Sequence, residues 1–292
     1  MKPSSSTETA QQPIFIVGSC RSGTEMTRSI LAMHPGIAMR EYEQTYIWKH
    51  DHLDRVSDRV TPDEVSENGM AYIRRRFAQY QRENGPNGGR VAEKTCGNAF
   101  RVPLIDRVFP DAQIVHIIRD GRAAAVSARH YWLHGGKINV SKAMDLPVTM
   151  LVRKGFGLVG RKIRKALTGK VPLRPWGPTF DGIEEALRKY SLIEVCGLQW
   201  KAVVETAHEE GTLLGPQRYL EFHYEQFCRN PKQEIGRVLE FLKLPRDPKM
   251  DTWLEENVRT SRIDAWREKI TEEDLQLLLE HIGPTLRRFG YE

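Results

Sequence analysis

Three short apolar runs stand out along the chain, and polar or glycine-containing turns follow them. They are Ile14–Val17, Ile114–Ile118 and Tyr219–Phe222. Short runs of apolar and β-branched residues bounded by turn residues predict buried strands. The first run leads into a turn at Gly18–Gly23 and the second into a turn at Arg119–Arg122. Each is expected to pass from a strand directly into a helix.

Segments with helical spacing separate these runs. Met26, Ile30 and Leu31 predict a helix after the first turn, and Thr61–Glu64 predicts a helix start because it combines a capping hydroxyl, a proline and acids. Strands that alternate with helices favour an α/β fold with a parallel sheet. Nothing indicates a repeat or an interdomain linker, so residues 13–292 are expected to form a single domain. Further helices are expected after residue 121, between residues 183 and 204, after Asn230-Pro231 and after Thr271.

The charge is unevenly distributed. The 292 residues carry 44 Lys+Arg against 38 Asp+Glu, a formal net charge of +6. Between Leu146 and Phe180 there are eight basic residues and no acidic residue. The basicity therefore describes one surface rather than the whole molecule. We treat residues 136–180 as a basic insertion.

Several classes of protein are excluded or disfavoured. No run of about 18 apolar residues exists that would predict a membrane-spanning helix. Residues 1–12 are polar, which predicts a disordered tail and not a secretory signal. The four cysteines have neither metal-ligand nor redox-pair spacing, so reduced thiols and a cytoplasmic location are expected. They are Cys20, Cys96, Cys196 and Cys228.

The first turn has the glycine spacing of a nucleotide P-loop. Gly18 and Gly23 are five positions apart, which lets backbone N–H groups at a helix N-terminus bind a phosphate. Thr24-Glu25 replaces the lysine and hydroxyl residue that an ordinary ATPase or kinase needs. Arg21 supplies a cation inside the loop instead. On spacing alone, a plain strand–turn–helix with an exposed arginine is an equally good interpretation.

The second turn, Arg119-Asp120-Gly121-Arg122, also follows a strand, and Ser127 lies about two helical turns later. Loops at the carboxyl ends of parallel strands share one crevice. The two loops are therefore expected to bind one ligand that carries two phosphate-like groups. Arginine together with a serine hydroxyl suits a phosphate monoester.

Ile14–Pro35 together with Ile114–Ser127 resembles the sulfotransferases that use 3′-phosphoadenosine 5′-phosphosulfate (PAPS), in particular the branch with tyrosylprotein sulfotransferases and bacterial relatives. Glu93-Lys94-Thr95, Tyr224–Phe227 and Trp266–Tyr291 extend the resemblance. It implies a three-layer P-loop-type parallel sheet flanked by helices, with a helical insertion. It also implies transfer of a sulfuryl group from PAPS to a hydroxyl of a peptide tyrosine, glycan, lipid or small metabolite, which leaves adenosine 3′,5′-bisphosphate and requires no metal.

The resemblance also implies roles for individual residues. The first loop would surround the 5′-phosphosulfate, Lys94 would reach its bridging oxygen, and Arg119 with Ser127 would hold the 3′-phosphate. Tyr224 would lie near the adenosine, and a C-terminal segment would fold over the donor. Relatives usually have a second threonine where this chain has Glu25, so Glu25 is expected to turn away or to pair with a cation such as Arg28. The remaining donor residues are Arg21, Ser22, Gly23, Thr24, Ser261, Arg262 and Lys269.

Transfer also needs positive charge at the leaving oxygen, here from Lys94 and Arg21, and a base for the acceptor proton. The tyrosine-modifying branch places a glutamate on the strand after the first helix. An exact register puts Tyr42 at that position, whereas a one-residue insertion puts Glu43 there. We prefer Glu43, with Glu41 as the second candidate. A solvated carboxylate at a strand end is the plain alternative for either.

The basic insertion is open to three interpretations. Its apolar residues recur at helical spacing between Val152 and Leu167, with cations on the other side. A helix on an anionic membrane through residues 152–170, a cleft for an acidic peptide or glycan, and a packed helix with a solvated face all fit this pattern. Trp176-Gly177-Pro178 is expected to form a loop at its end.

Two other functions remain open on the sequence alone. One is a kinase-like phosphotransferase, and the other is a non-enzymatic protein that binds an anionic membrane or nucleic acid through the basic insertion. We expect no nucleic-acid partner. His116 is expected to be a hydrogen-bonded core residue and not a base.

Overall fold

The structure is a computed structural model that describes residues 10–85, 89–134 and 175–292. Within these ranges five parallel strands form one sheet in the order β2-β3-β1-β4-β5. The first strand along the sequence is therefore the central strand of the sheet. The strands are β1 Ile14–Val17, β2 Ile37–Met39, β3 Arg90–Lys94, β4 Gln113–Ile118 and β5 Tyr219–His223.

Helices connect the strands and cover both faces of the sheet. Those up to the fourth strand are α1 Thr24–Leu31, α2 Thr45–Trp48, α3 Glu67–Asn84 and α4 Val102–Val108. Those between the fourth and fifth strands are α5 Gly121–His134, α6 Ile183–Lys189 and α7 Leu192–Thr212. Those that follow are α8 Tyr224–Arg229, α9 Pro231–Leu242, α10 Pro248–Asn257 and α11 Glu272–Arg288.

The central strand shows how the layers are held together. Its side chains alternate between the two faces, so Phe15 packs into one core and Ile16 into the other. The first core is rich in aromatic rings, with Trp48 and Phe77 each within 5.6 Å of the Phe15 ring centroid. The second core packs α1 and α9 against the opposite face. The predicted three-layer α/β fold is confirmed.

The apolar runs are strands, as predicted, and the charged strand β3 was not foreseen. A helical segment does begin after Thr61, with the predicted cap and proline, but it is only the 3₁₀ helix Pro62–Glu64, and α3 begins at Glu67 after the Ser66 cap. The last helix begins after Thr271, as predicted, and Thr271 caps it because its Oγ1 accepts a hydrogen bond from Asp274 N.

Some expectations fall on other parts of the chain. Residues 1–9 and residues 135–174, which include most of the basic insertion, lie outside the described residues. The disordered tail and the membrane helix therefore stay predictions. The cytoplasmic location also stays a prediction. Residues 10–12, which the sequence places in the tail, contact the domain: Ala10 is buried, and Gln12 N donates to Asp111 Oδ2 at 2.7 Å. Among the described residues no helix is long and apolar enough to cross a membrane.

Candidate functional site

A cavity of about 1090 Å³ lies where β1, β3 and β4 end. The sheet register explains why distant residues meet there. Ile16 pairs with Lys94 of β3, and Val17 pairs with His116 of β4, so the loops after all three strands emerge side by side. This is the edge at which parallel α/β sheets bind ligands.

The first loop has the backbone conformation of a tight anion-binding turn. Gly18, Arg21 and Gly23 all have positive φ values, of 150°, 69° and 97°. A Cβ on Gly23 would approach the Tyr224 ring to 2.7 Å, so no larger residue fits there without displacement. The turn directs the N-terminus of α1, at Thr24, toward the cavity. Backbone N–H groups at such a terminus attract an anion.

The second loop is joined directly to the first. Arg119 Nη1 donates to the carbonyl oxygen of Arg21 at 2.8 Å, and Arg21 Nε donates to Ser127 Oγ at 3.1 Å. Arg119 also donates through Nη2 to the carbonyl oxygen of Arg262 at 2.9 Å and lies 4.3 Å above the Tyr224 ring. The two loops predicted to share a ligand therefore lie at one cavity.

Unpartnered polar groups remain beside these loops. Ser22 Oγ and Arg119 Nε are both buried with no hydrogen-bond partner among the described residues. Buried polar groups in proteins are normally paired, so such atoms indicate where a ligand contributes the missing partner. Among the described residues, five cationic side chains and three carboxylates line the cavity. The cations are those of Arg21, Lys94, Arg119, Arg262 and Lys269, and the carboxylates are those of Glu25, Glu43 and Asp58.

Lys94, at the end of β3, lies between two of these carboxylates. Its Nζ donates to Glu43 Oε1 at 2.8 Å and lies 3.1 Å from Glu25 Oε2. Arg28 Nε also donates to Glu25, at 2.6 Å. The expected Glu25–Arg28 pair is therefore present, but Glu25 does not turn away from the site. Both Glu41 and Glu43 are exposed, but Glu43 lines the cavity and Glu41 does not.

These contacts shift the pKa values of the groups involved. Burial acts to lower the pKa of Lys94, but Cys96, Glu43 and Glu25 outweigh it and hold the pKa above its ordinary value, so the ammonium is charged. Burial acts to raise the pKa of Glu25, yet Lys94 and Arg28 lower it overall. A hydrogen bond with Cys96 and burial raise the pKa of the Cys20 thiol, which stays neutral.

The other predicted donor residues are distributed in and around the cavity. Gly23, Thr24, Tyr224, Arg262 and Lys269 line it. Ser22, within the first loop, is buried and does not line the cavity. Ser261 is exposed in the 3₁₀ turn Thr260–Arg262 and does not line it either.

The sequence did not predict all of the residues that line the cavity. Trp253 and Asn257 of α10 line the cavity, and only their helical spacing with a polar face would have drawn attention to them. The Trp176-Gly177-Pro178 loop, which the sequence does single out, also lines the cavity. The Trp176 ring centroid lies 4.6 Å from that of Tyr131, and His130 lies beside them. The described residues contain no group of three or more His, Cys, Asp or Glu side chains able to hold a metal ion.

The comparison with protein families decides the assignment. A model of the sulfotransferase family matches residues 13–145 and 179–248, which together form more than half of the chain and include both loops and Lys94. The chain belongs to the sulfotransferase family. Its relatives include protein-tyrosine sulfotransferase A of Caenorhabditis elegans, 21% identical over 96% of this chain and 67% of the relative. The protein-tyrosine sulfotransferase of Drosophila melanogaster is also 21% identical, over 80% of this chain but only 38% of the relative.

Solved structures with the same fold are also sulfotransferases. The sulfotransferase domain from the curacin biosynthetic pathway superposes with a TM-score of 0.56 and 13% identity, covering 97% of this chain and 99% of that chain. Sulfotransferase STF9 from Mycobacterium avium gives a TM-score of 0.55 and 14% identity, covering 97% of this chain and 78% of that chain. At these identities the likeness establishes the fold of this sulfotransferase.

Proposed function

We propose that this sulfotransferase moves a sulfuryl group from PAPS to an acceptor hydroxyl, leaving adenosine 3′,5′-bisphosphate. The observation that carries the proposal is the direct contact of the two anion-binding loops, with Arg119 on the Arg21 carbonyl and Arg21 on Ser127. A ligand that is anionic at two separate places suits such a pair of loops. A nucleotide without a 3′-phosphate would leave the second loop without a ligand.

The residues present suit this donor. Arg21, Ser22, Gly23 and Thr24 would hold its 5′ end at the start of α1, where the buried Ser22 hydroxyl has no partner among the described residues. Arg119, whose Nε is likewise unpartnered, and Ser127 would hold the 3′-phosphate. When bound, PAPS supplies an activated sulfur–oxygen bond. The nucleoside would lie along Tyr224, Arg262 and Lys269, whereas Ser261, which the resemblance also implies, does not line the cavity.

Transfer then depends on the side chains of Glu43, Lys94 and Arg21. Glu43 accepts the proton of the acceptor hydroxyl as that oxygen forms its bond to sulfur. The ammonium of Lys94 and the guanidinium of Arg21 stabilise the negative charge on the bridging oxygen, which keeps the electron pair of the broken bond. The hydrogen bond from Lys94 holds Glu43 at the cavity, and it links the base to the leaving-group side of the site.

An acceptor with an aromatic ring fits the wall best. The rings of Tyr131 and Trp176 lie 4.6 Å apart and are tilted by 32° relative to each other, and Trp176 belongs to the end of the basic insertion. Flat apolar walls favour planar rings. The curated relatives described above are named for tyrosine sulfation, which agrees with a phenolic hydroxyl.

Calorimetry with adenosine 3′,5′-bisphosphate and with AMP tests the donor assignment without requiring a known acceptor. We expect the bisphosphate to bind about 10- to 100-fold more tightly, which is the contribution of one or two charge-assisted hydrogen bonds. Arg119→Ala should abolish that preference. Arg75→Ala, an exposed arginine of α3 outside the cavity, is the matched control. Equal binding of both nucleotides to the unaltered protein would disprove the assignment.

A further inference from the structure

Glu25 places a negative charge at the position where the anionic donor would bind. It is the second residue of α1, at the same helix N-terminus that faces the cavity. Its carboxylate is 3.1 Å from Lys94 Nζ and accepts a 2.6 Å hydrogen bond from Arg28 Nε. A carboxylate at a helix N-terminus is favourable because of the helix dipole. The same position and the same lysine are those that an anionic donor needs.

The three partners differ in exposure, which determines which of them can move. The Lys94 side chain is only 11% exposed, whereas that of Glu25 is 62% exposed. Glu43 holds Lys94 from the other side at 2.8 Å. Lys94 is therefore held in place, and Glu25 is the member that can leave. Arg28, which is 21% exposed, offers the departing carboxylate a second cation.

We propose that Glu25 is a positioning residue that competes with the donor for Lys94. Without donor, its carboxylate balances part of the Lys94 charge and helps to hold the ammonium beside Glu43. An incoming phosphosulfate takes its place at Lys94, and the carboxylate remains on Arg28 alone. Glu25 thus weakens the binding of the donor and of the bisphosphate product, and product release is faster than in a site without it. This inference rests on the proposed function.

The test is bisphosphate binding to variants that remove one charge each. Glu25→Gln should tighten binding about fivefold, the factor corresponding to about 1 kcal/mol at a partly exposed ion pair. Glu41→Gln removes the same charge from an exposed position outside the cavity and should leave the affinity unchanged. A gain in affinity is not what a merely structural role for Glu25 would produce.

Arg28→Gln gives the opposite prediction. Without Arg28 the Glu25 carboxylate has only Lys94 left, so the donor competes less well and binding should weaken by a similar factor. In the double variant Glu25→Gln/Arg28→Gln, loss of Arg28 should have no further effect, because the competing charge is gone. Steady-state kinetics should show a lower KM for PAPS in Glu25→Gln, and a lower kcat if product release limits turnover.

The outcomes separate the two proposals. If Glu25→Gln binds the bisphosphate like Glu41→Gln, or more weakly, the inference is overturned while the donor assignment stands. Additive effects of Glu25→Gln and Arg28→Gln would overturn it as well. If the unaltered protein does not distinguish the bisphosphate from AMP, the proposed function itself fails.

Discussion

The indole of Trp200 donates a 2.9 Å hydrogen bond through Nε1 to the carbonyl oxygen of Arg119. Trp200 belongs to α7 and is fully buried, so a helix from outside the sheet holds the second loop, Arg119–Arg122, in place. Gly121, where α5 begins, packs directly onto the same indole ring. The position of Arg119 therefore depends on how closely α5 approaches α7.

Gly121→Ala should disturb this approach. A Cβ at residue 121 would lie 2.6 Å from the nearest carbon of the Trp200 ring, which is buried and cannot move aside freely. We expect the free energy of unfolding to fall by about 1–3 kcal/mol, as for other overpacked cores. Bisphosphate affinity should fall as well, because Arg119 moves with the loop. Chemical denaturation and calorimetry on the same samples measure both effects.

Gly236→Ala is the matched control for that substitution. Gly236 lies inside α9, and the nearest atom to an added Cβ is Arg246 Nη1 at 3.6 Å. Alanine is the better helix former, so this variant should gain up to about 1 kcal/mol of stability and bind the bisphosphate normally. The same sign of stability change at both glycines would contradict the role given to the Trp200 contact.

Replacement of Glu43 tests the base. Glu43→Gln keeps the size of the side chain but cannot take a proton, so kcat should fall by about 10²- to 10⁴-fold. Bisphosphate binding should not weaken, since Lys94 and both loops are retained. The rate of bisphosphate formation from PAPS measures the effect, with the best acceptor of a panel containing a simple phenol, a tyrosine peptide and a glycan. Near-normal kcat in Glu43→Gln, or an equal loss in Glu41→Gln, would assign the proton transfer elsewhere.

The sequence predicted the parts of the site that lie on continuous apolar strands. Ile14–Val17 and Ile114–Ile118 are recognisable because both their faces are buried, and their turns carry Arg21 and Arg119. It did not predict strand β3 because Glu93 interrupts the apolar pattern. That carboxylate is fully buried and accepts a 2.9 Å hydrogen bond from Trp48 Nε1. When a buried carboxyl group of a strand is hydrogen-bonded by a residue of another element, the sequence of the strand alone does not reveal that the strand is buried.

The position of Glu25 was beyond sequence reasoning for a different reason. Its pairing with Arg28, three residues away on the same helix, follows from local spacing. Its contact with Lys94 depends on the pairing of β1 with β3, which places Lys94 beside Ile16. Contacts set by strand order cannot be deduced from the spacing along one segment.

The aromatic wall predicts how the acceptor is bound. Trp176→Ala removes the ring that contacts Tyr131, so the KM for a phenolic acceptor should rise about tenfold, consistent with the loss of about 1–2 kcal/mol of ring contact. The KM for PAPS should stay unchanged. Trp132→Ala is a less suitable control because its ring also contacts Trp176, at 6.1 Å. Leu213→Ala, at an exposed position outside the cavity, serves instead and should leave both KM values unchanged. An equal rise in the KM for PAPS in Trp176→Ala would indicate that this ring contacts the donor and not the acceptor.

A hydrogen-bonded network on β4, β5 and α7, away from the cavity, is expected to determine the acid stability. Burial acts to raise the pKa of Glu221, but hydrogen bonds from His116, Tyr219 and His208 outweigh it and lower the pKa to about 2. The Tyr219 hydroxyl donates at 2.6 Å, and His208 Nδ1 lies 2.9 Å from the same carboxylate oxygen. His116 is a hydrogen-bonded core residue, as predicted, with its Nδ1 2.7 Å from the Tyr219 hydroxyl.

The sign of the pH effect follows from the lowered pKa of Glu221. Its ordinary value is 4.5, so the charged carboxylate stabilises the fold above about pH 4.5, and this contribution disappears as the pH falls toward about 2. Glu221→Gln should therefore cost about 2–3 kcal/mol of unfolding free energy at pH 7 and progressively less below pH 4.5. Urea denaturation of both proteins between pH 3 and pH 7 measures the difference. A difference that stays constant with pH, like that expected for the exposed Glu240→Gln, would show that the Glu221 charge does not carry this stability.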